Sequence, residues 1–214
     1  MRSVLSAHRC PGCEIRKPLC FCAMIPQLAL KTRVIILMHT CEEVLTTNTA
    51  RLVAKALTNS EVRIHGRRDE RMSSDGLVQS GRPSLLLYPS SSSVELTTDF
   101  ASHLSGPVNL IVPDASWRQT KKFVRRATGL VGIPHVRLPP GPPSEYRLRA
   151  QRSDQNLCTL EAIARAIGIL ECRAAQVDLE TLLRVLVERT LWSRGMLAAD
   201  RCTTAGIPRE AFCS

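Results

Sequence analysis

The stretch Val108-Asn109-Leu110-Ile111-Val112-Pro113-Asp114-Ala115-Ser116-Trp117-Arg118-Gln119-Thr120 decides the fold. Its first five residues, apolar but for Asn109, form a short run with the pattern of a strand buried on both faces of a sheet. It then turns through Pro113 and opens a helix, Ser116–Ala127, with a hydroxyl residue at the start. Working outward, Arg33–His39 (RVIILMH) and Ser84–Tyr88 (SLLLY) are further buried strands, and Val62–His65 and His135–Leu138 are shorter ones. Between them lie helical patterns at Asn48–Leu57 and, more weakly, Val94–Leu104; Gln155–Leu170 and Leu179–Trp192 are the two best-formed helices. The alternation predicts an α/β fold, a mostly parallel sheet with helices on both faces. Chemistry in such sheets gathers in the loops at the carboxyl ends of the strands. Here those loops are His39–Asn48, Pro89–Ser93 and Pro113–Trp117.

Bulk properties narrow the class. Twenty-nine Lys plus Arg against 19 Asp plus Glu give a net charge of +10 and a pI near 9.6. Such an excess suits a polyanionic partner, because binding phosphates releases condensed counterions. No apolar run approaches the roughly 18 residues needed to cross a bilayer, and Met1 to Arg9 lacks the apolar stretch of a signal peptide. A soluble, cytoplasmic protein with no membrane partner is expected.

Nine cysteines, an odd number, argue for reduced thiols in such a chain. Four of them, Cys10, Cys13, Cys20 and Cys22, fall on one proline-punctuated loop. Four soft ligands at that spacing suit a structural Zn²⁺ with no position left for substrate. An Fe–S cluster also takes four cysteines; zinc is preferred. Arg9, Arg16 and Lys17 flank the loop. Three zones follow: a zinc-binding segment over 1–30, a catalytic domain over 31–172 and a C-terminal helical extension over 173–214. Whether Leu179–Trp192 is a core helix or a dimer face, and so whether the chain is monomer or homodimer, stays open.

From the cysteine cluster to about Ile167 the sequence resembles the DTW-domain family of tRNA-uridine aminocarboxypropyltransferases, relatives of the SPOUT-type methyltransferases. Five segments in order carry the resemblance. They are His39 with Thr47-Asn48-Thr49-Ala50-Arg51-Leu52; Arg82-Pro83 with Leu86-Leu87-Tyr88-Pro89; Asp114-Ala115-Ser116-Trp117 with Arg118-Gln119-Thr120-Lys121-Lys122; Ser144-Glu145-Tyr146-Arg147-Leu148-Arg149; and Cys158-Thr159-Leu160-Glu161-Ala162-Ile163-Ala164. Two positions depart from the family: Ser116 stands for its name-giving Thr, keeping the hydroxyl, and Cys158 for a common Ser. The resemblance implies a SPOUT-like knotted region that binds S-adenosylmethionine as co-substrate. It also implies transfer of the 3-amino-3-carboxypropyl group to N3 of a tRNA uridine, with methylthioadenosine released.

An imide nitrogen holds its proton at neutral pH, so the reaction calls for a base. Asp114, at a strand end before a helix, is the candidate; the competing roles are an ordinary helix cap, whose amides would depress its pKa, and orientation of the uracil by accepting its N–H. Ser116 and Trp117 complete the catalytic set, Trp117 either stacking on a base or plugging the core. Cofactor contacts are expected from Thr47, Asn48, Thr49, Leu87, Pro89, Tyr146, Arg147, Thr159 and Glu161, the last either binding the cofactor amino group or pairing with Arg165. RNA contacts are expected from Arg118, Lys121, Lys122, Arg125, Arg126 and Arg149, with positions 118, 122, 125 and 126 on one helix face. Arg67, Arg68 and Arg71 extend the basic patch. Two rival readings are a methyltransferase, using another carbon of the same sulfonium, and a non-enzymatic zinc-containing RNA-binding module.

Overall fold

The computed structural model describes residues 7–68, 72–149 and 156–213. Six strands form one sheet: β1 (Arg33–His39), β2 (Ser60–His65), β3 (Ser84–Leu87), β4 (Val94–Glu95), β5 (Asn109–Asp114) and β6 (His135–Arg137). Their order is β2-β1-β5-β3-β6-β4, and every neighbouring pair is parallel. Five helices cover it: α1 (Ala50–Ala56), α2 (Thr98–Ser102), α3 (Trp117–Arg126), α4 (Thr159–Leu170) and α5 (Arg173–Ser193).

Period-two alternation divides the core into two layers. Val34, Ile36 and Met38 of β1, with Leu110 and Val112 of β5, face a thick layer that contains α1, α4 and α5. Ile35, Leu37 and Ile111 face a thinner layer under α3, with Leu77, Leu130 and Ile133. The central strands are thus buried on both faces, as their unbroken apolar runs require. α4 and α5 pack closely at Gly168, where an added Cβ would lie 1.9 Å from Gln176 Oε1. Leu19 and Phe21 of the cysteine loop are 1% exposed within the thick layer, and Leu179, Leu183 and Leu186 of α5 join it. The C-terminal helix is therefore a core helix. Its buried Glu188 accepts from the backbone N–H and hydroxyl groups of Thr203 and Thr204, tying down the tail. No helix among the described residues is long and apolar enough to cross a membrane.

Three elements differ from expectation. Val94–Leu104 is not one helix: Val94–Glu95 pairs with β6, and the helix is confined to Thr98–Ser102, capped by Thr97. The α4 helix starts at Thr159; the expected start at Gln155 lies outside the described residues. α5 begins at Arg173, two turns before the expected Leu179, because its polar first turns pack against α4.

Candidate active site

The carboxyl ends of β1, β5, β3 and β6 open on one side of the sheet. Connections reverse direction there: β1 leads outward to β2, while β3 lies across the inserted β5. Ligands of open α/β sheets bind at such a switch point. Asp114, the last residue of β5, sits in it.

Asp114 is 6% exposed. Its carboxylate accepts from Asn48 Nδ2 at 2.7 Å and from the Thr159 hydroxyl. Burial raises its pKa above the usual carboxylate value, only partly opposed by those two hydrogen bonds. The helix cap is a different residue: Ser116 precedes α3, and Gln119 Oε1 accepts its backbone N–H at 3.2 Å. The expected depression of Asp114 by capping amides is therefore replaced by a shift in the opposite direction, suited to a base.

A second network forms the adjacent wall. Arg149 donates to Glu42 Oε2 at 3.0 Å and to Thr47 Oγ1 at 2.9 Å, and the Tyr146 hydroxyl donates to the Thr47 carbonyl at 2.7 Å. Arg149, expected to meet RNA, is thus engaged within the pocket wall. Asn48 has two tasks, since its Oδ1 also accepts from Arg51 N–H at the start of α1.

Two cavities adjoin beside Asp114, which lines the polar one. The polar one, of about 480 Å³, is lined by Glu42, Thr47, Asn48, Thr49, Ser116, Arg118, Tyr146 and Arg149 as well as Asp114. A more apolar one of about 470 Å³ is lined by Leu87, Tyr88, Pro89, Leu138, Pro139 and Pro140. Ala115, Trp117, Leu157 and Thr159 border both. Trp117 is 54% exposed, so it is not a core plug; its ring centroid lies 6.4 Å from that of Tyr88.

Two expected cofactor residues are placed elsewhere. Arg147 is exposed and lines neither cavity, because buried Tyr146 and Leu148 turn it outward. Glu161 is 4% exposed and accepts from the Ser144 hydroxyl at 2.7 Å, Glu145 N–H at 2.7 Å and Cys158 N–H at 2.9 Å. Those donors occupy it, so it clamps the 144–146 segment to α4 instead of binding a ligand; Arg165 donates to the Pro142 carbonyl. Glu42 was not singled out from sequence; the Pro139–Pro143 stretch reads there as a stiff loop presenting the 146–149 segment, not as a cavity wall. That stretch had a usable signal, since it follows a strand's carboxyl end.

All five basic residues of α3 are exposed. Arg118, Lys122 and Arg126 line one groove, whereas Arg125 is not part of that wall. Arg67 pairs with Glu43 at 3.4 Å, and Arg71 lies outside the described residues.

The sulfurs of Cys10, Cys13, Cys20 and Cys22 all lie within 4.8 Å of one another. Pairs at 3.5, 3.8 and 3.4 Å fit the roughly 3.8 Å between thiolates about 2.3 Å from a tetrahedral zinc. Gly12 is required, since a Cβ there would stand 2.4 Å from Cys22 Sγ. Arg189 of α5, 5% exposed, donates to the carbonyls of Leu19 at 3.0 Å and Cys20 at 2.7 Å, and no described carboxylate pairs with it. A Zn²⁺ with four thiolates carries two negative charges, the compensation this buried guanidinium needs. The loop reaches the site through Glu14, which pairs with Arg51 of α1.

A family model described as DTW domain matches residues 7–191, further toward the C-terminus than the resemblance traced above. The chain is 29% identical over 172 residues to tRNA-uridine aminocarboxypropyltransferase 2 of Drosophila melanogaster, covering 78% of this chain and 68% of that protein. With the Mus musculus protein of the same name it shares 30% over 183 residues, 83% of this chain and 60% of that one. With tRNA-uridine aminocarboxypropyltransferase A of Arabidopsis thaliana it shares 29% over 208 residues, 84% and 78%. Among solved structures, the SAM-dependent rRNA:acp-transferase of Vulcanisaeta distributa superposes with a TM-score of 0.52 at 18% identity, covering 77% of this chain and 81% of that one. At that identity the likeness is one of fold.

Proposed function

The chain belongs to the DTW domain family, and from that premise we propose that it is a tRNA-uridine aminocarboxypropyltransferase. It moves the 3-amino-3-carboxypropyl group of S-adenosylmethionine to N3 of a uridine and releases methylthioadenosine. The observation that carries this reading is the buried Asp114 carboxylate, with raised proton affinity, lining a polar cavity that shares Ala115, Trp117 and Thr159 with an apolar one. The apolar cavity suits an adenosine; the polar one suits the aminocarboxypropyl group and the uracil edge. The uridine N3–H passes its proton to Asp114 as the new C–N bond forms and the C–S bond to the sulfonium breaks. Sulfonium departure needs no acid, so one base suffices. Zn²⁺ on Cys10, Cys13, Cys20 and Cys22 supplies structure only, and the activity belongs to the cytoplasm.

The test is nucleoside mass analysis of tRNA incubated with the protein and S-adenosylmethionine. A uridine heavier by one aminocarboxypropyl group, with methylthioadenosine as by-product, is expected. A methylated nucleoside with S-adenosylhomocysteine would replace this reading by methyl transfer. RNA binding with neither product, and no S-adenosylmethionine bound, would make the chain a binding module.

Two further outcomes follow from the geometry. Thr159→Val removes a hydrogen bond that lowers the Asp114 pKa, so the acid limb of kcat/KM should move to higher pH, because a base works only when ionised. An unmoved limb would exclude Asp114 as the titrating group. Trp117→Ala should raise KM for RNA by the equivalent of ~1–3 kcal/mol of lost stacking, while Trp117→Phe restores most of it. An unchanged KM would make the exposed indole irrelevant to the acceptor.

A further inference from the structure

On the thin face of the sheet, between α3 and the chain following β2, lies a groove of about 810 Å³, larger than either cavity at Asp114. One wall is Arg118, Lys122 and Arg126 of α3. At four-residue spacing these cations rise along the helix in steps of about 6 Å. No carboxylate lines the groove among the described residues, and none pairs with the three cations. Such a row exceeds what a single anion needs and matches a polymer of regularly spaced negative charge. Beneath it, His65 stacks on Phe123 at 3.7 Å between centroids, and its buried Nε2 has no hydrogen-bond partner among the described residues.

The groove is joined to the active site. Arg118 lines both the groove and the polar cavity. Gln119 spans the same junction: its Oε1 accepts Ser116 N–H beside Asp114, and its Nε2 lies 3.3 Å from His39 Nδ1 in the groove. His39 itself packs on Gly66, whose φ is +88° and where a Cβ would come within 2.6 Å of the imidazole.

We propose that this groove binds the phosphates of the RNA strand flanking the modified nucleotide, with Arg126, Lys122 and Arg118 leading the backbone toward Asp114. The proposal rests on the reading of the chain as an RNA-modifying enzyme and extends it to a strand path. Lys121 and Arg125 lie on the same helix, are also exposed and line neither the groove nor the active-site cavities. They provide a charge-matched control.

The test compares K122A/R126A with K121A/R125A, both substituted at exposed positions and checked for an unchanged thermal melt. Anisotropy titrations with a fluorescein-labelled oligouridine and with tRNA are run across a salt series. K122A/R126A should weaken binding by about tenfold or more and lower the salt slope by about 1.4, at roughly 0.7 per lost phosphate contact. K121A/R125A should change affinity by less than about twofold, as expected for charges outside the path. Equal weakening by both pairs would replace the groove by a diffuse basic field, and no weakening by either would place RNA elsewhere. Polyglutamate bound as tightly as oligouridine, with the same loss in K122A/R126A, would reassign the groove to an acidic protein partner. Because these readouts need no product, wild-type protein that binds RNA through the groove but transfers nothing would defeat the proposed reaction and leave the groove standing.

Discussion

Asp114→Asn is expected to lower kcat/KM by ~10²–10⁴-fold while leaving the protein at least as stable as the parent at neutral pH. The first half follows from the loss of the group that receives the N3 proton. The second follows from the direction of the Asp114 shift. Burial raises its pKa in the folded state, so ionising the carboxyl costs folding free energy. That cost grows as pH rises from the unfolded pKa to the folded one and is fully present above it. Asparagine removes it and still fits, with its oxygen toward Asn48 Nδ2 and its amide toward the Thr159 hydroxyl, which then accepts. Thermal melts should show the variant melting above the parent at neutral pH and losing that advantage in acid. A variant that keeps its activity would remove Asp114 from catalysis. One that is destabilised at neutral pH would mean the carboxylate is a structural anchor.

Removing the metal is expected to have the largest effect on the fold. Cys13→Ser, or chelation during gentle unfolding, should cost a few kcal/mol, lowering Tm by about 10 °C at the roughly 2–4 °C per kcal/mol of a domain this size. The loop holding Leu19 and Phe21 has only three-residue 3₁₀ turns of its own, too short to persist alone. Its release exposes two fully buried side chains and strips the Arg189 guanidinium of the Leu19 and Cys20 carbonyls it donates to. Activity should fall as well, because Glu14 on this loop braces Arg51 beside Asn48. Elemental analysis should find one zinc per chain. An unchanged melt after complete metal removal would show that packing alone holds the loop.

Much of the architecture was legible because its signals are local. Arg33–His39 reads as a central strand since its five consecutive apolar residues, Val34–Met38, call for burial on both sides, and its bounds match the structure. The cysteine loop is equally legible, because metal coordination imposes spacing on the chain. Val94–Leu104 misled because its apolar positions suit a helix, whereas Val94–Glu95 is held as an edge strand by backbone bonding to β6, some forty residues away.

The site divides along the same line. That an acid at 114, a hydroxyl at 116 and an indole at 117 stand between a buried strand and a helix was determined by the sequence alone. So were the parallel sheet, the basic helix and the four thiols. That Asp114 is not the cap of α3 was decided only by the tertiary structure, since a cap and a base both want an acid at that spot. Asn48 and Thr159, 66 and 45 residues away along the chain, meet its carboxylate, and the surrounding core strips it of water. Likewise Glu161 and Arg149 carry the charges that ligand binding would use, yet folding turns both onto partners within the protein. The physical reason is common to all three: a side chain's chemistry is local, but its protonation and its free hydrogen-bonding capacity depend on neighbours that only the packed chain brings together.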